Sequence, residues 1–563
     1  MRSTTTRLRT GPPIWWTALL SVILLVLSAC AGSGDTDETS DSTEAPTTTA
    51  ATSSTDSTPP AEEAPEEPAD TEIVIAKERL SNEALDPLMS TSGGKEYMRL
   101  VFDPLIGMNR EGTESSKETG IARDWIVNED GTQVTFMLRE GITFSNGDEV
   151  TSADVAFTWE RMNNPEALMP NAGFITESIA SVETPDPYTV VVNLTGPVAF
   201  QFIQNVSIIS SGTESLIVPK NYIEEVGVEA FGANPIGSGP YVLTSRQTGQ
   251  EMVFDSRGED HFAYGVPAFE RVTLRIVPEL TSRVSQLLTG EFDVIEIDRS
   301  ALSQVEGDFV VKEAQMADTL FVGSASPTVS EGSPLANPSF REALSLAIDR
   351  EGILEALLLG FGKTHGNLNA LAVPGIEELP ADAYDLAAAE SALAESGVDT
   401  STLNLTFHVW DYRGWNTAEI GQVIQQSWDS IGITTNLLHR DYSTVRGEWV
   451  ARELPSDSIV LFVLPGSPFP SGSMAALIPC EGPLTIACDP ALDAAAATAT
   501  AATTEDAWYS ALNEIERLSH DMRVHMTVVE AGPLVALAPN IADAYFPGQS
   551  YADINIPSLV FGS

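Results

Sequence analysis

Residues 132–162, TQVTFMLREGITFSNGDEVTSADVAFTWERM, decide the fold that the sequence predicts. Apolar side chains alternate over residues 134–138, which is the period of a half-buried β-strand. The Ser-Asn-Gly-Asp run at 145–148 favours a tight turn, because its Asn-Gly pair tolerates positive φ. Thr151 is a favoured helix N-cap, and Asp154 can answer it in a capping box. The stretch therefore predicts a strand, a turn, a second short strand and a capped helix.

The helix that begins after Thr151 has one apolar face, formed by Val155, Trp159 and Met162 at i, i+4 and i+7. Each of these local patterns is common in unrelated proteins. The motifs TFMLR, FSNGD and TSADV in this order are not, and they resemble the signature of the family 5 solute-binding proteins. Members of that family are the extracytoplasmic receptors of peptide and nickel ABC importers.

Further motifs of the same family occur along the chain in the family's order. They are LDP at 85–87, FDPL at 102–105, IARDW at 121–125, NPIGSGPY at 234–241, GEFDVI at 290–295, FREALSLAIDR at 340–350, YD at 384–385 and AESG at 394–397. The resemblance implies an α/β fold of the periplasmic-binding-protein type, with two lobes, an interlobe ligand cleft and a hinge. It implies a first lobe over residues 72–316, a second lobe over residues 317–525 and a return to the first lobe over residues 526–563.

Composition limits the possible partners. The chain has 563 residues, enough for two or three domains, and its 29 Lys and Arg against 80 Asp and Glu give a formal net charge of −51. Nucleic acid is not an expected partner, because binding it needs basic patches that displace counterions. An acidic surface suits a salty or crowded extracellular space, and it can also attract cationic ligands.

Residues 1–29 have the layout of a lipoprotein signal peptide. Arginines at positions 2, 7 and 9 precede an apolar run over residues 14–27, which is shorter than the ~20 residues of a membrane-spanning helix. The run ends in Leu-Ser-Ala-Cys, which resembles a bacterial lipobox with Cys30 as the lipidated residue. An uncleaved anchor with an incidental cysteine is the alternative. In both cases we expect the rest of the chain on the outer face of the cell membrane or in the periplasm.

Residues 31–71 contain no Lys or Arg and consist mainly of Ala, Ser, Thr, Pro, Asp and Glu. Such a segment buries too little apolar surface to offset its ordering entropy, so we expect a disordered linker. Together with a lipidated Cys30, residues 30–71 are therefore predicted to tether a folded body to a membrane.

The chain has three cysteines. If Cys30 carries lipid, Cys480 and Cys488 remain as a pair in an exported protein, where a disulfide is the simplest state. Members of the family often carry such a loop just before an Asp-Pro pair, which occurs here at residues 489–490.

The resemblance also bears on the ligand site. Many peptide-binding members hold the ligand's amino group with a Trp-x-x-Asp segment of the second lobe, but the matching stretch 459–465, IVLFVLP, has no acid. Upstream, residues 410–415, WDYRGW, follow a predicted strand, and open α/β folds bind ligands at the carboxyl ends of strands. Aromatic rings can stack on a ligand and an arginine can pair its charge, although packing of the lobe is the alternative for each residue. The predicted ligand-binding residues are Trp410, Asp411, Tyr412, Arg413, Trp415 and Phe462.

The function implied by the resemblance is that of a monomeric receptor without a cofactor or metal. It would capture an oligopeptide or other small solute and deliver it to ABC permease subunits in the membrane. A lipid-anchored ligand sensor with the same fold and an extracellular serine hydrolase are the alternatives. Against an enzyme, the chain has no Gly-x-Ser-x-Gly and no His-Glu-x-x-His, and its one Ser-x-x-Lys, at 92–95, is not followed by Ser-Asp-Asn or Lys-Thr-Gly. The six histidines are scattered and predict no zinc site.

Overall fold

The computed structural model describes residues 72–109, 112–209, 212–325, 333–403, 405–412, 415–541 and 554–559. The predicted signal peptide, the lipidation site Cys30, the linker and Arg413 lie outside the described residues. Among the residues that are described, no helix combines the length and the apolar character that crossing a bilayer requires.

Strands and helices alternate irregularly along the chain. The strands are β1 (Glu72–Lys77), β2 (Gly107–Met108), β3 (Ser115–Ser116), β4 (Ala122–Val127), β5 (Gln133–Leu138), β6 (Ile179–Asp186), β7 (Thr189–Leu194), β8 (Tyr241–Gln247), β9 (Glu251–Ser256), β10 (Arg271–Ile276), β11 (Val294–Ile297), β12 (Val310–Glu313), β13 (Asp318–Ser324), β14 (Leu405–Val409), β15 (Thr435–His439), β16 (Ser458–Leu464), β17 (His525–Ala531) and β18 (Leu534–Leu537). The α-helices are α1 (Lys95–Val101), α2 (Ser152–Arg161), α3 (Ala172–Ser178), α4 (Ala199–Asn205), α5 (Lys220–Val226), α6 (Val228–Ala233), α7 (Leu280–Leu288), α8 (Leu302–Val305), α9 (Pro338–Leu346), α10 (Arg350–Leu357), α11 (Leu386–Ser396), α12 (Thr417–Ser430), α13 (Tyr442–Val450), α14 (Ser471–Leu477), α15 (Pro490–Thr500) and α16 (Glu505–Asp521).

Residues 132–162 form β5 and α2. β5 buries Val134, Phe136 and Leu138 on one face, as the alternating pattern predicted. The ring of Phe136 lies 6.1 Å from that of Trp159, which is on the apolar face of α2. The strand and the helix therefore pack together through their apolar faces. The alternating residues form this face in the strand, and residues about one helical turn apart form it in the helix.

The turn and the cap between β5 and α2 also form. Gly147 has a φ of +92°, which the Asn-Gly turn requires. The carboxylate of Asp154 accepts the backbone N–H of Thr151 at 2.8 Å, and these two residues form the predicted capping box. The predicted second strand is reduced to one antiparallel bridge between Thr143 and Glu149, because the turn leaves too few residues for a longer ladder.

Besides the short β2–β3 hairpin, the described strands form three sheets that define two lobes. A seven-stranded sheet has the order β12-β18-β11-β1-β10-β9-β8, and a four-stranded sheet has the order β4-β5-β7-β6. These two sheets, with their helices, form the first lobe. A five-stranded sheet with the order β15-β14-β16-β13-β17 forms the centre of the second lobe. The fold is therefore a mixed α/β fold with two lobes.

The chain crosses between the lobes twice. The first crossing lies between Glu313, which ends β12, and Asp318, which begins β13. The second lies between Ala531, which ends β17, and Leu534, which begins β18. Because β17 pairs with β13 in the second sheet, the return to the first lobe begins after Ala531 and not at residue 526, the position predicted from the sequence.

The two crossings are joined at Gly532. Its N–H donates to the carboxylate of Glu313 at 2.7 Å, and its carbonyl accepts from Arg299 Nη2 at 3.2 Å. Arg299 and Glu313 also form an ion pair at 3.5 Å. A Cβ at Gly532 would lie 2.9 Å from the carbonyl oxygen of Ala314, so glycine permits the close approach of the two connections. These short connections are the hinge of the fold.

The loops at one edge of the second sheet face the first lobe. β14 is parallel to β15 and β16, so the carboxyl ends of these three strands share an edge. β13 is antiparallel to β16 and β17, so β13 begins and β17 ends at that same edge. Because both crossings connect to this edge, the loops that follow β14 and β16 point toward the first lobe. Open α/β folds bind ligands at such an edge.

Cys480 and Cys488 form the predicted disulfide, with Cα atoms 4.6 Å apart. The bridge closes the loop between α14 and α15. The N–H of Cys480 donates to the carboxylate of Asp493 in α15 at 2.8 Å, and Asp489 caps the same helix by accepting from the N–H of Ala491 at 2.8 Å. The disulfide therefore fixes the entry of the chain into α15.

Candidate binding site between the lobes

Two of the predicted ligand-binding residues, Trp410 and Phe462, lie in the core of the second lobe. Trp410 is 3% exposed, and its ring lies 5.3 Å from that of Tyr442 and 6.0 Å from that of Phe462. The ring of Phe462 is in turn 5.5 Å from that of Phe321 and 5.7 Å from that of Trp449. In this structure both rings pack the lobe, and Trp410 supports the loop that follows β14.

Trp415 lies where the second lobe meets the first. It is 8% exposed and belongs to the core of the second lobe, and the guanidinium carbon of Arg299, from the first lobe, is 5.9 Å from its ring centroid. The N–H of Trp415 donates to the carbonyl of Tyr412 at 3.0 Å, which closes the loop into a turn. The hydroxyl of Thr417 donates to the carbonyl of Trp410 at 2.5 Å. The loop is therefore fixed on the second lobe while one of its rings contacts the first.

The remaining predicted residues lie on the same loop. The carboxylate of Asp411 is exposed and lies 2.9 Å from His439 Nε2. Tyr412 is half-buried and packs against the core of the second lobe. Arg413 lies outside the described residues. The structure thus brings Asp411, Tyr412 and Trp415 together on one loop at the edge that faces the first lobe.

An aromatic contact between the lobes was not found from the sequence. The ring of Phe200 in α4 lies 5.7 Å from that of Phe469 and 6.1 Å from that of Trp508, and both of these belong to the second lobe. α4 packs Phe202 into the first lobe, whereas Phe200 is buried in the core of the second. Residues two apart lie on different faces of a helix. Apolar rings on two faces of the short helix α4 could therefore have predicted that α4 contacts both lobes.

Gln201, next to Phe200, adds a polar contact between the lobes. Its side-chain amide donates to the carbonyls of Thr500 and Ala502, each at 2.9 Å. Thr500 is the last residue of α15, where the carbonyls of a helix lack intrahelical partners, and Ala502 follows the C-cap of that helix. A side chain of the first lobe therefore caps a helix of the second.

Acidic side chains of both lobes meet near the N-terminus of α16. Partial desolvation, followed by the carboxylates of Glu114 and Asp506, raises the pKa of Glu505. Burial and the charges of Glu505 and Glu114 raise the pKa of Tyr509. Because Glu114 lies in the β2–β3 hairpin of the first lobe, the surface between the lobes carries negative charge from both sides.

Comparison with known sequences identifies relatives that bind small solutes. Residues 118–476, more than half of the chain, match the family described as bacterial extracellular solute-binding proteins, family 5, middle region. The glutathione-binding protein GsiB of Salmonella paratyphi A is 26% identical over 345 residues, which are 60% of this chain and 64% of that protein. GsiB of Escherichia coli O157:H7 matches with the same identity and coverage. The match thus spans less than two thirds of the length of these relatives.

Solved structures share the fold. HbpA2 from Haemophilus parasuis has a TM-score of 0.73 at 20% identity and covers 86% of this chain and 99% of its own. NikA from Brucella suis in complex with Fe(III)-EDTA has a TM-score of 0.73 at 20% identity, with 88% and 100% covered. The dipeptide-binding protein from Pseudoalteromonas sp. SM9913 in complex with Met-Leu has a TM-score of 0.66 at 19% identity, with 87% and 100% covered. Together with the match over residues 118–476, the two-lobed α/β architecture shows that this chain belongs to family 5 of the bacterial extracellular solute-binding proteins.

Proposed function

We propose that this protein is the solute receptor of an ABC importer. It captures a peptide-like or other small solute between its lobes and presents the solute to permease subunits in the membrane. No bond is made or broken in this role, and the role needs no cofactor. Membership of a solute-binding family supports the proposal. So do the similar proteins, which are described as binding glutathione, as holding the dipeptide Met-Leu and as holding Fe(III)-EDTA.

The position of the loop after β14 is the observation that carries this proposal. The loop lies at the edge of the second sheet to which both crossings connect, and its Trp415 contacts Arg299 of the first lobe. A solute held against this loop touches both lobes, so its binding free energy favours the arrangement with the lobes together. Hinge closure around a ligand is the change that a permease can recognise.

This loop supplies the proposed ligand contacts. Exposed Asp411 pairs an ammonium group of the solute, half-buried Tyr412 offers a ring face, and Arg413 pairs an anionic group through its two-pronged fork. Trp415 is 8% exposed and holds the loop against the second lobe. Trp410 contributes indirectly, because its buried ring packs against Phe462 and so holds the loop in place. Because the stretch 459–465 has no acid, we expect ring faces and an anionic or polar group of the solute to dominate recognition.

The proposed receptor is a lipoprotein. Its signal peptide, residues 1–29, is removed and Cys30 carries the lipid. The acidic linker then holds the folded body off the membrane surface, where it acts as a monomer outside the cytoplasm.

Native mass spectrometry of the protein purified from its own cells tests the receptor role. We expect an additional mass of a small solute that disappears on unfolding. The released solute, added back to stripped protein, should raise the melting temperature, because a ligand that binds only the folded state stabilises it. The proposal fails if the protein carries no solute and if glutathione, dipeptides and metal chelates all leave its melting temperature unchanged.

A further inference from the structure

A second concavity lies wholly within the first lobe. It is an open concavity of about 520 Å³ between residues 139–143, which follow β5, and residues 257 and 259–262, which follow β9. Ser238 and Pro240 of the NPIGSGPY motif close one side. All of its lining residues belong to the first lobe, so it is distinct from the proposed site at the loop after β14.

Three arginines, Arg123, Arg139 and Arg257, line this concavity. The chain has only 29 Lys and Arg against 80 Asp and Glu, so three cations at one place differ sharply from the average surface. They come from three separate segments that only the fold brings together. Cations that converge in a concave site indicate recognition of an anionic group.

Arg139 is held in place without being neutralised. Its Nη2 donates to the carbonyls of Lys117 at 2.6 Å and Glu118 at 3.0 Å, and its Nε donates to the carbonyl of Gly120 at 3.0 Å. Its guanidinium carbon lies 5.3 Å from the ring centroid of Phe262. Neutral carbonyls and a ring face fix the direction of this side chain but leave its charge available to a ligand.

Arg123 is exposed and makes one long hydrogen bond, from Nε to the carbonyl of Leu138 at 3.3 Å. Its neighbour Asp124 pairs with Lys117 at 2.5 Å. In the part of the chain that the structure describes, neither Arg123 nor Arg139 has a carboxylate within ion-pair distance. The terminal nitrogens of Arg123 can therefore form a bidentate contact with a carboxylate.

Carboxylates also line the concavity, and all of them are exposed. The carboxylate of Glu259 forms an ion pair with Arg257, with Oε2 and Nη2 3.1 Å apart, so the charges of these two residues offset each other. Glu140 and Asp260 have no cationic partner among the described residues. These two carboxylates repel a plain dianion, whereas a ligand with an ammonium group as well as a carboxylate complements both signs of charge.

We propose that this concavity binds a small zwitterion, a molecule with one carboxylate and one ammonium group. The carboxylate of the ligand lies on Arg123 and Arg139, and its ammonium group faces Glu140 and Asp260. A volume of about 520 Å³ fits an amino acid or a short peptide. The site is a second one, and it does not depend on the proposed interlobe site.

Calorimetric titration of the full-length protein with glycylglycine tests the proposal. We expect saturable binding that Arg123→Gln weakens about ten-fold, because a bidentate charge-assisted contact is lost. Arg123→Lys keeps the charge without the fork and should bind with intermediate affinity. Arg275→Gln removes another exposed arginine, on β10, and is the matched control that should bind like wild type.

Analogues and a second variant assign the binding to this site. N-acetylglycylglycine lacks the ammonium group and glycylglycinamide lacks the carboxylate, so each should bind more weakly than glycylglycine. Glu140→Gln removes a carboxylate that faces the ammonium group, so this variant should also bind glycylglycine more weakly than wild type. The proposal is overturned if wild type shows no saturable binding at millimolar glycylglycine, or if Arg123→Gln binds like wild type. Neither result touches the receptor role, which the co-purified solute tests separately.

Discussion

Phe200 of the first lobe and Phe469 of the second lie edge to face, with ring centroids 5.7 Å apart and ring planes at 80°. This is a favoured geometry for aromatic pairs. The ring of Trp508 lies 6.1 Å from that of Phe200. The ring of Phe200 therefore occupies an aromatic socket of the second lobe, formed by Phe469 and Trp508. Separation of the lobes would expose this apolar surface, and the contact therefore stabilises the arrangement with the lobes together.

Phe200→Ala should shift the solute-free protein toward separated lobes. The ring of Phe200 is buried against the second lobe only when the lobes are together, so its removal destabilises only that arrangement. We therefore expect a shift of about 2 kcal/mol in the closure equilibrium. Small-angle scattering should then give a larger radius of gyration, and the co-purified solute should bind about ten-fold more weakly.

Phe174→Ala is the control for this prediction, because Phe174 is an exposed ring on α3 of the same lobe. It should change neither the radius of gyration nor the affinity. If Phe200→Ala also leaves both at their wild-type values, the aromatic socket does not hold the lobes together.

The local structure was predictable because its signals act between neighbours. The turn at Gly147, the cap at Thr151 and the bridge between Cys480 and Cys488 each depend on residues close together in the sequence. The contact of Phe200 with the second lobe joins residues that are far apart in the sequence. No local sequence pattern identifies which residues Phe200 will contact. The same holds for β17, whose place in the second sheet depends on pairing with β13.

The loop after β14 shows a second limit. Trp410 and Trp415 are the same residue type in one short loop and both are buried in the second lobe, yet only Trp415 also meets Arg299 of the other lobe. Large aromatic residues are common both in protein cores and at binding sites, so the sequence alone does not distinguish a ring that packs from a ring that binds. Only the direction of each side chain does, and the fold determines that direction.

Lower pH should favour the closed arrangement. The pKa of Glu505 is raised by partial desolvation and by the carboxylates of Glu114 and Asp506, and Glu114 is on the other lobe. A carboxyl group whose pKa is raised by closure opposes closure while it is charged, and this cost is lost as the pH falls through the raised pKa. The affinity for solute should therefore rise as the pH is lowered through the raised pKa of Glu505.

Glu505→Gln should flatten this pH dependence, because the variant has no charge to remove at that position. Glu514→Gln is the matched control, since Glu514 lies on the exposed face of the same helix and pairs with Arg517 at 2.7 Å. Affinity is measured over the pH range for all three proteins. A profile that runs in the opposite sense, or one that Glu505→Gln leaves intact, contradicts the prediction.

Loss of the Cys480–Cys488 disulfide should destabilise the second lobe locally. The loop is short, so the chain-entropy contribution is roughly 2.5 kcal/mol. Cys480→Ser with Cys488→Ser should lower the melting temperature and increase hydrogen exchange at the start of α15, where Cys480 contacts Asp493. Intact mass of the wild type, with and without reductant, checks the bridge itself. Two thiols that alkylate without reductant would show that the disulfide does not form in solution.

Cys30→Ala should block lipidation and processing. We expect the variant to accumulate as a precursor without diacylglycerol, since the lipobox cysteine is both the acceptor and the cleavage marker. Mass spectrometry of the N-terminal peptide from membranes distinguishes the forms. Mature wild-type protein with an unmodified Cys30 would refute the proposed anchor.

Substitutions in the loop after β14 should separate residues that bind solute from residues that pack the second lobe. Tyr412→Ala and Arg413→Ala should each weaken binding of the co-purified solute about ten-fold. Tyr412→Ala should also lower the melting temperature of the solute-free protein somewhat, because its half-buried ring packs against the core of the second lobe. Trp410→Ala should lower the free energy of unfolding by about 3–5 kcal/mol, because it empties a buried aromatic site. Trp415→Ala should do both, since its ring packs on the second lobe and meets Arg299. If Tyr412→Ala and Arg413→Ala both bind solute like wild type, the solute contacts other residues between the lobes, and the rings of this loop serve only to pack the second lobe.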